Sequence, residues 1–360
     1  MNNSNAVSTK GIESSQSFFR RLFDGTRRRL QKRDIQRMLV NLGIIAIVGS
    51  YVHFRTGLFW TTHNWLAISV QIVVVTMIAC GMTLVMMAGH IDASIAGIVV
   101  LCGIVAGLFI KSGVPIPFAF LLATLVGASV GLLNAFLVLG VGITSMIATI
   151  GVLYMTQGLA NLLTNGLPIA GLPPGFRTVG GGSIFGIPIA VPMIILVTAL
   201  FISIQRFTLF GRWVIATGSN SKAAFLTGVN VRLTTIGVFV LTGAAAGWGG
   251  VVYASRLGNP SPQLDNALLF QVIVAVVIGG TSLFGGEGSV SGTLIASVLI
   301  GVLNNGLNLL GISTFWQYIT LGLLLIGSVG SDTVLRHGNL NTLRRRIRDL
   351  GGMTDELAAG

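Results

Sequence analysis

Two acids interrupt the long uncharged tracts of this sequence. Asp92 lies in Ala88-Gly89-His90-Ile91-Asp92-Ala93-Ser94, and Glu287 lies in Gly279-Gly280-Thr281-Ser282-Leu283-Phe284-Gly285-Gly286-Glu287-Gly288. A carboxylate held at a bilayer centre costs about 2.5–3.5 kcal/mol on insertion scales, so a deep Asp92 belongs to a transport path. A shallow Asp92 instead works with Ser94 as the N-cap of the helix that follows. Glu287 either meets a cytoplasmic partner or caps the next segment. His90 either titrates near neutral pH at a break in the membrane or is a solvated turn residue. The sequence holds no Gly-x-x-x-x-Gly-Lys-Ser/Thr loop, no His/Cys/carboxylate set at metal spacing and no nucleophile beside a base. No enzyme activity, metal or cofactor is therefore expected. Energy for any work must come from an ion gradient or from a partner, and two acids are thin for a proton relay.

A second set of residues could bind a polar solute. Gln71, Thr76, Asn134, Gln157, Asn161, Asn304 and Asn305 fall inside apolar segments, with Trp316 and Tyr318 near the outer end of the last one. Asn and Gln offer a donor and an acceptor from one group, which suits sugar hydroxyls, and aromatic faces suit their C–H surfaces. The competing role is hydrogen bonding between helices, worth about 0.6–2 kcal/mol per bond. With Asp92 and Ser94, these are the candidates for a substrate pathway.

The elements that must hold them are membrane helices. The chain is 52% hydrophobic and 9% charged over 360 residues, with a mean hydropathy of +0.85. A soluble domain carries roughly 25% charged residues. Soluble domains, disulfide scaffolds, disordered chains and nucleic-acid modules are excluded, despite a net charge of +12. The lipid bilayer is the remaining solvent, and the fold class is all-α and polytopic. Turn residues divide the apolar tracts into ten spans, at 38–54, 64–87, 93–110, 117–139, 144–164, 189–206, 233–254, 267–281, 290–308 and 314–332. Residues 1–37 and 334–360 form basic tails, which the positive-inside rule holds in the cytoplasm on either side of a transmembrane domain at 38–333. The first tail lacks the apolar core and cleavage site of a signal peptide. Segment 207–232, with Arg212, Lys222 and Arg232, is then cytoplasmic. Segment 165–188, with only Arg177, is outside. Ala123, Gly127, Gly131 and Ala135 recur every four residues, as do Gly243 and Gly247, which predicts close helix packing on those faces.

Within 207–232, Asn220 or Ser221 can cap a short helix that Gly228 ends, and Phe225 gives it an apolar knob. Such a helix is built to dock onto another molecule, the alternative being that it lies under its own bundle.

The chain resembles the permease subunits of bacterial ABC importers for monosaccharides, the ribose-permease-like family, over residues 64–332. The resemblance rests on Gly81-Met82-Thr83-Leu84-Val85, Ile91-Asp92-Ala93-Ser94, Ile147-Ala148-Thr149-Ile150-Gly151, Gly228-Val229-Asn230-Val231, the 279–288 run and Asn304-Asn305-Gly306-Leu307-Asn308. His90, Ala93, Ile95 and Ala96 depart from the family's pattern, which leaves the substrate open. The resemblance implies a pore of two permease chains (a homodimer or a pair of paralogues), two ATPase subunits below and a periplasmic sugar-binding protein above. Arg212, Ser221, Lys222, Ala223, Ala224, Phe225, Gly228 and Glu287 would meet the ATPase, while Arg177, Arg256 and Asp265 would meet the binding protein. The membrane would be the bacterial inner membrane. An ion-coupled carrier, or a permease for nucleosides or branched-chain amino acids, is the alternative.

Overall fold

The structure is a computed structural model that describes residues 35–263 and 266–337. Most of both expected tails, and Asp265, lie outside the described residues. The described residues are helical almost throughout. Among them, seven helices are long and apolar enough to cross a membrane: α1 (Ile35–Thr56), α2 (Thr62–Met87), α4 (Ile116–Phe136, with a π turn at Leu137–Val141), α5 (Ser145–Thr164), α7 (Ala190–Phe207), α10 (Val231–Leu257) and α12 (Val290–Leu309). Three more, α3 (Ile95–Lys111), α11 (Asn266–Ile278) and α13 (Thr314–His337), are apolar over a shorter stretch, which in α13 is Thr314–Gly330. Each expected span thus falls on a helix. The eighth stops at Ile278, leaving Gly279 and Gly280 in a turn rather than in the span.

The connecting segments carry structure that hydropathy did not reveal. Segment 165–188 holds α6 (Pro174–Gly181) and a hairpin of β1 (Ser183–Ile184) and β2 (Ile187–Pro188). Segment 207–232 holds α8 (Leu209–Ser219) and α9 (Ser221–Leu226). These two segments mark opposite ends of the bundle.

Helix α2 is the axis. From Ile72 to Met87 every residue is buried, as expected for a helix apolar on all sides, and α10, α12, α7 and α11 pack around it. Helix α4 buries only a stripe, Ala119, Ala123, Gly127, Gly131, Asn134 and Ala135, which lies on α10. A Cβ at Gly127 would strike the carbonyl oxygen of Gly243, and one at Gly131 that of Phe239. The repeat of small residues is therefore a backbone-contact seam, the arrangement that lets helices associate without a hydrophobic drive from water. The opposite face of α4, including Phe118, Leu121 and Leu125, is exposed.

Candidate functional site

The α8–α9 segment is set by three side-chain caps in succession. Thr208 accepts from Gly211 N (3.2 Å), Asn220 Oδ1 from Ala223 N (3.0 Å) and Asn230 Oδ1 from Leu233 N (2.9 Å). Asn220, rather than Ser221, is thus the cap of α9. Gly228, at φ +86°, ends it, since that left-handed turn suits a residue without Cβ. The helix shows one side to its own bundle and the rest to the outside. Ala224 is buried, while Ser221, Lys222, Ala223 and Gly228 are exposed. Phe225 is 70% exposed and Leu226 83%. Lys222, Phe225, Leu226, Val229 and Arg232 border an open groove of about 900 Å³. Arg212 is exposed on α8.

Behind α9, three segments distant in sequence meet. Gly286 N donates to the Met87 carbonyl (2.9 Å). A Cβ on Gly218 would strike that same oxygen and crowd Gly286 N, and one on Gly285 would lie 2.9 Å from the Gly89 Cα. The end of α8, the turn after α2 and the turn after α11 are therefore in backbone contact. Both Gly-rich interruptions that stood out in the sequence belong to this junction, at the α9 end. Side chains that sequence reasoning passed over hold its rim. Gln205 donates from Nε2 to the Gly288 carbonyl (2.8 Å) and accepts at Oε1 from Val290 N (3.0 Å), while Arg37 donates to the Gly280 carbonyl (2.8 Å). Thr83 and Thr293 pair through their hydroxyls at 2.8 Å, joining α2 to α12. A Gln beside Arg206, one residue inside the expected span end at 206, was the available signal for Gln205. Glu287 is exposed and does not cap α12, because Ser289 does so by accepting from Gly292 N (3.2 Å).

Asp92, Ser94 and Asn134 form one buried cluster, each wholly inaccessible. Asp92 Oδ1 accepts from Ser94 N (3.0 Å) and from the Ser94 hydroxyl (2.6 Å), and Asn134 Nδ2 donates to Ser94 Oγ (2.7 Å) and Asp92 Oδ1 (3.3 Å). The same turn is tied to α5, where Thr149 Oγ1 accepts from Ala93 N (3.0 Å) and Ser145 Oγ from Ile91 N (3.3 Å). Asp92 thus closes the turn that starts α3, with Ser94 offering its own N–H rather than capping through its hydroxyl. Asp92 is tied into the turn ahead of α3 without being the helix's own cap, which is Ser94 and has no side-chain cap bond. His90 packs against Phe239, with ring centroids 5.6 Å apart.

The remaining pathway candidates are dispersed. Asn305 and Asn64 exchange hydrogen bonds of 2.9 and 3.0 Å between α12 and the start of α2. Gln157 donates to the Pro262 carbonyl, and Asn161, exposed, bonds the carbonyl of Gln157 on its own helix. Gln71 and Asn304 are half-buried, Trp316 and Tyr318 are exposed, and Thr76 is buried with an unpaired hydroxyl. The hydrogen bonds of these residues do not join them into one site.

At the hairpin end, Ser255 on α10 accepts from Gly180 N (2.7 Å) and donates to the Phe176 carbonyl, fastening α6. Arg256 is not in a loop but in the last turn of α10. It is half-buried and donates to the Val70 carbonyl (3.1 Å), so its charge faces inward as much as out. Arg177 is exposed on α6, lying across Gly258. The hairpin turn places Phe185 fully exposed at φ +52°. Among the described residues there is no group of three metal-ligating side chains.

Residues 64–329 match the family model described as "Branched-chain amino acid transport system / permease component". The chain belongs to this family. It is a multi-pass membrane permease of the ATP-binding-cassette import class. Its relatives include the probable ABC transporter permease protein YphD of Escherichia coli, 34% identical over 84% of this chain and 92% of that one. The ribose import permease protein RbsC of Haemophilus influenzae is 33% identical over 83% and 93%. The D-allose transport system permease protein AlsC of E. coli is 32% identical over 81% and 89%. No solved structure gives a significant match.

Proposed function

We propose that this permease carries a monosaccharide through the bacterial inner membrane and is driven by separate ATPase subunits that seat on α9. The ten apolar helices all cross, with both chain ends and α8–α9 in the cytoplasm. A second permease chain completes the pore, and a periplasmic binding protein delivers the sugar at the hairpin end, where Arg177 and the outer loop are the contact. The supporting observation is the exposure of Phe225 and Leu226 on a capped helix, because an apolar anchor of this kind on a polar loop is the mark of a docking surface. The groove between Lys222 and Arg232 receives part of the ATPase, and the exposed Arg212 and Glu287 are further contacts.

Ribose, D-allose and L-arabinose permeases, and an autoinducer 2 permease, match this chain at 32–36% identity. That narrow range supports a sugar or sugar-like cargo without choosing among them. The test is reconstitution with the cognate ATPase and binding protein. ATP-dependent uptake of a pentose or hexose is the expected result. Concentration of solute by the purified chain under an ion gradient alone would identify a secondary carrier, and coupled uptake of leucine or a nucleoside instead of a sugar would correct the substrate class.

A further inference from the structure

Helix α4 changes character at its α9 end. Its last turn widens into the π turn at Leu137–Val141, a local irregularity that recurs at functional positions. There Leu132, Leu133, Phe136, Leu139 and Ile236 of α10 line an open groove of about 730 Å³, with Arg232 at its mouth. Leu132 is 51% and Phe136 62% exposed. The groove continues the apolar face of α4 that carries Phe118, Leu121 and Leu125, the face a bilayer must cover. Arg232 is exposed and makes no hydrogen bond or ion pair among the described residues. The sequence has no acid between Asp92 and Asp265, so the 207–232 segment contains no counter-charge of its own.

We propose that this groove holds one anionic phospholipid of the inner leaflet, its acyl chain along Leu132, Phe136, Leu139 and Ile236 and its phosphate on Arg232. The inference rests on α9 facing the cytoplasm, as proposed above. A lipid is the occupant because the groove is apolar along the bilayer direction and cationic only at its inner end. A guanidinium matches a phosphate with paired donors, and the cytoplasmic leaflet is the anionic one. Arg232 also borders the groove beside α9. The bound headgroup therefore sits against the coupling helix and makes coupling sensitive to anionic lipid.

The test uses the full chain in nanodiscs of phosphatidylcholine containing a phosphatidylglycerol with a photoreactive acyl chain. Labelling is expected within residues 129–140 and at 236, and is expected to be displaced by unlabelled phosphatidylglycerol but not by phosphatidylcholine. Arg232→Gln should lower it about fivefold, the loss typical of one basic residue at an anionic surface. Leu132→Trp, which fills the groove and keeps the arginine, should lower it as well. Equal labelling by a phosphatidylcholine probe would overturn the proposal in favour of annular lipid only. So would undiminished labelling of both variants, or displacement of the label by the ATPase or a second permease copy. Lys222→Cys in sealed vesicles of known orientation separates this from the topology. If that cysteine reacts with an impermeant reagent only from the ATPase side while the groove stays unlabelled, the lipid site fails and the orientation stands.

Discussion

The two ends of the bundle are closed in different ways. At the hairpin end, beside one close backbone approach of Gly180 to α10, side chains reach across: Arg256 to the Val70 carbonyl, Ser255 to α6, Gln157 to the Pro262 carbonyl, and Asn64 to the side chain of Asn305. At the α9 end the decisive contacts are backbone on backbone, Gly218 and Gly286 both on the Met87 carbonyl. A side-chain latch can change rotamer while the helices shift. Two peptide groups in van der Waals contact cannot, because packed backbone has no slack and one displacement passes directly to the next segment. With α9 as the proposed docking helix, a displacement there would pass to α2 and to the turn after α11 through this backbone junction, which Gln205 and Arg37 edge with side-chain bonds.

That contrast can be broken by substitution. The largest effect should come from Gly218→Val, whose added carbons have no room beside Met87 and Gly286. Overpacking of this kind costs about 1–3 kcal/mol, and ATP-dependent uptake should be lost while the protein still inserts. Normal uptake by this variant would show that the junction does not transmit. Next, Phe225→Asp should remove an interface anchor worth about 2 kcal/mol, roughly thirtyfold in docking affinity. Its melting temperature should stay within error, because the ring is exposed, while ATP hydrolysis becomes uncoupled from transport. Loss of stability instead would place the ring inside the fold's own packing.

Asp92→Ala should follow, lowering stability by about 1–3 kcal/mol through the unmet donors of Ser94 and Asn134. Asp92→Asn should recover part of it. Unchanged thermal unfolding combined with abolished flux would return Asp92 to the transport path. The smallest effect should come from Arg256→Gln at the hairpin end. Freeing one carbonyl of an otherwise intact helix costs about 0.5–1.5 kcal/mol, and uptake should fall less than in any variant above. A loss as large as that of Gly218→Val would erase the distinction between the two ends.

The helices and their order were legible because hydropathy reports membrane solvation residue by residue. The Ala123–Ala135 stripe was legible too, since a four-residue repeat of small side chains has one physical use in a helix without water. Asn220 and Gly228 announced α9 by cap chemistry alone. Other features were not local. Gln205 reads as an ordinary polar residue at a span end until Gly288 and Val290 are brought beside it. Arg256, expected in an outer loop, proved to be helical and turned toward Val70, because α10 continues three residues past its last apolar stretch. The interior amides, which as a set suggested one sugar site, separate into a turn lock at Asp92–Asn134 and a clasp at Asn64–Asn305.

By itself the sequence determined the solvent of this protein, its helical class, the cationic segment and the short capped helix within it, since composition, charge sign and capping act over a few residues. Only the tertiary structure decided that the turn after α2, the end of α8 and the turn after α11 share one carbonyl, that of Met87. Contacts between backbones more than a hundred residues apart depend on how the helices pack, and a glycine that permits such an approach is spelled no differently from one in a loop.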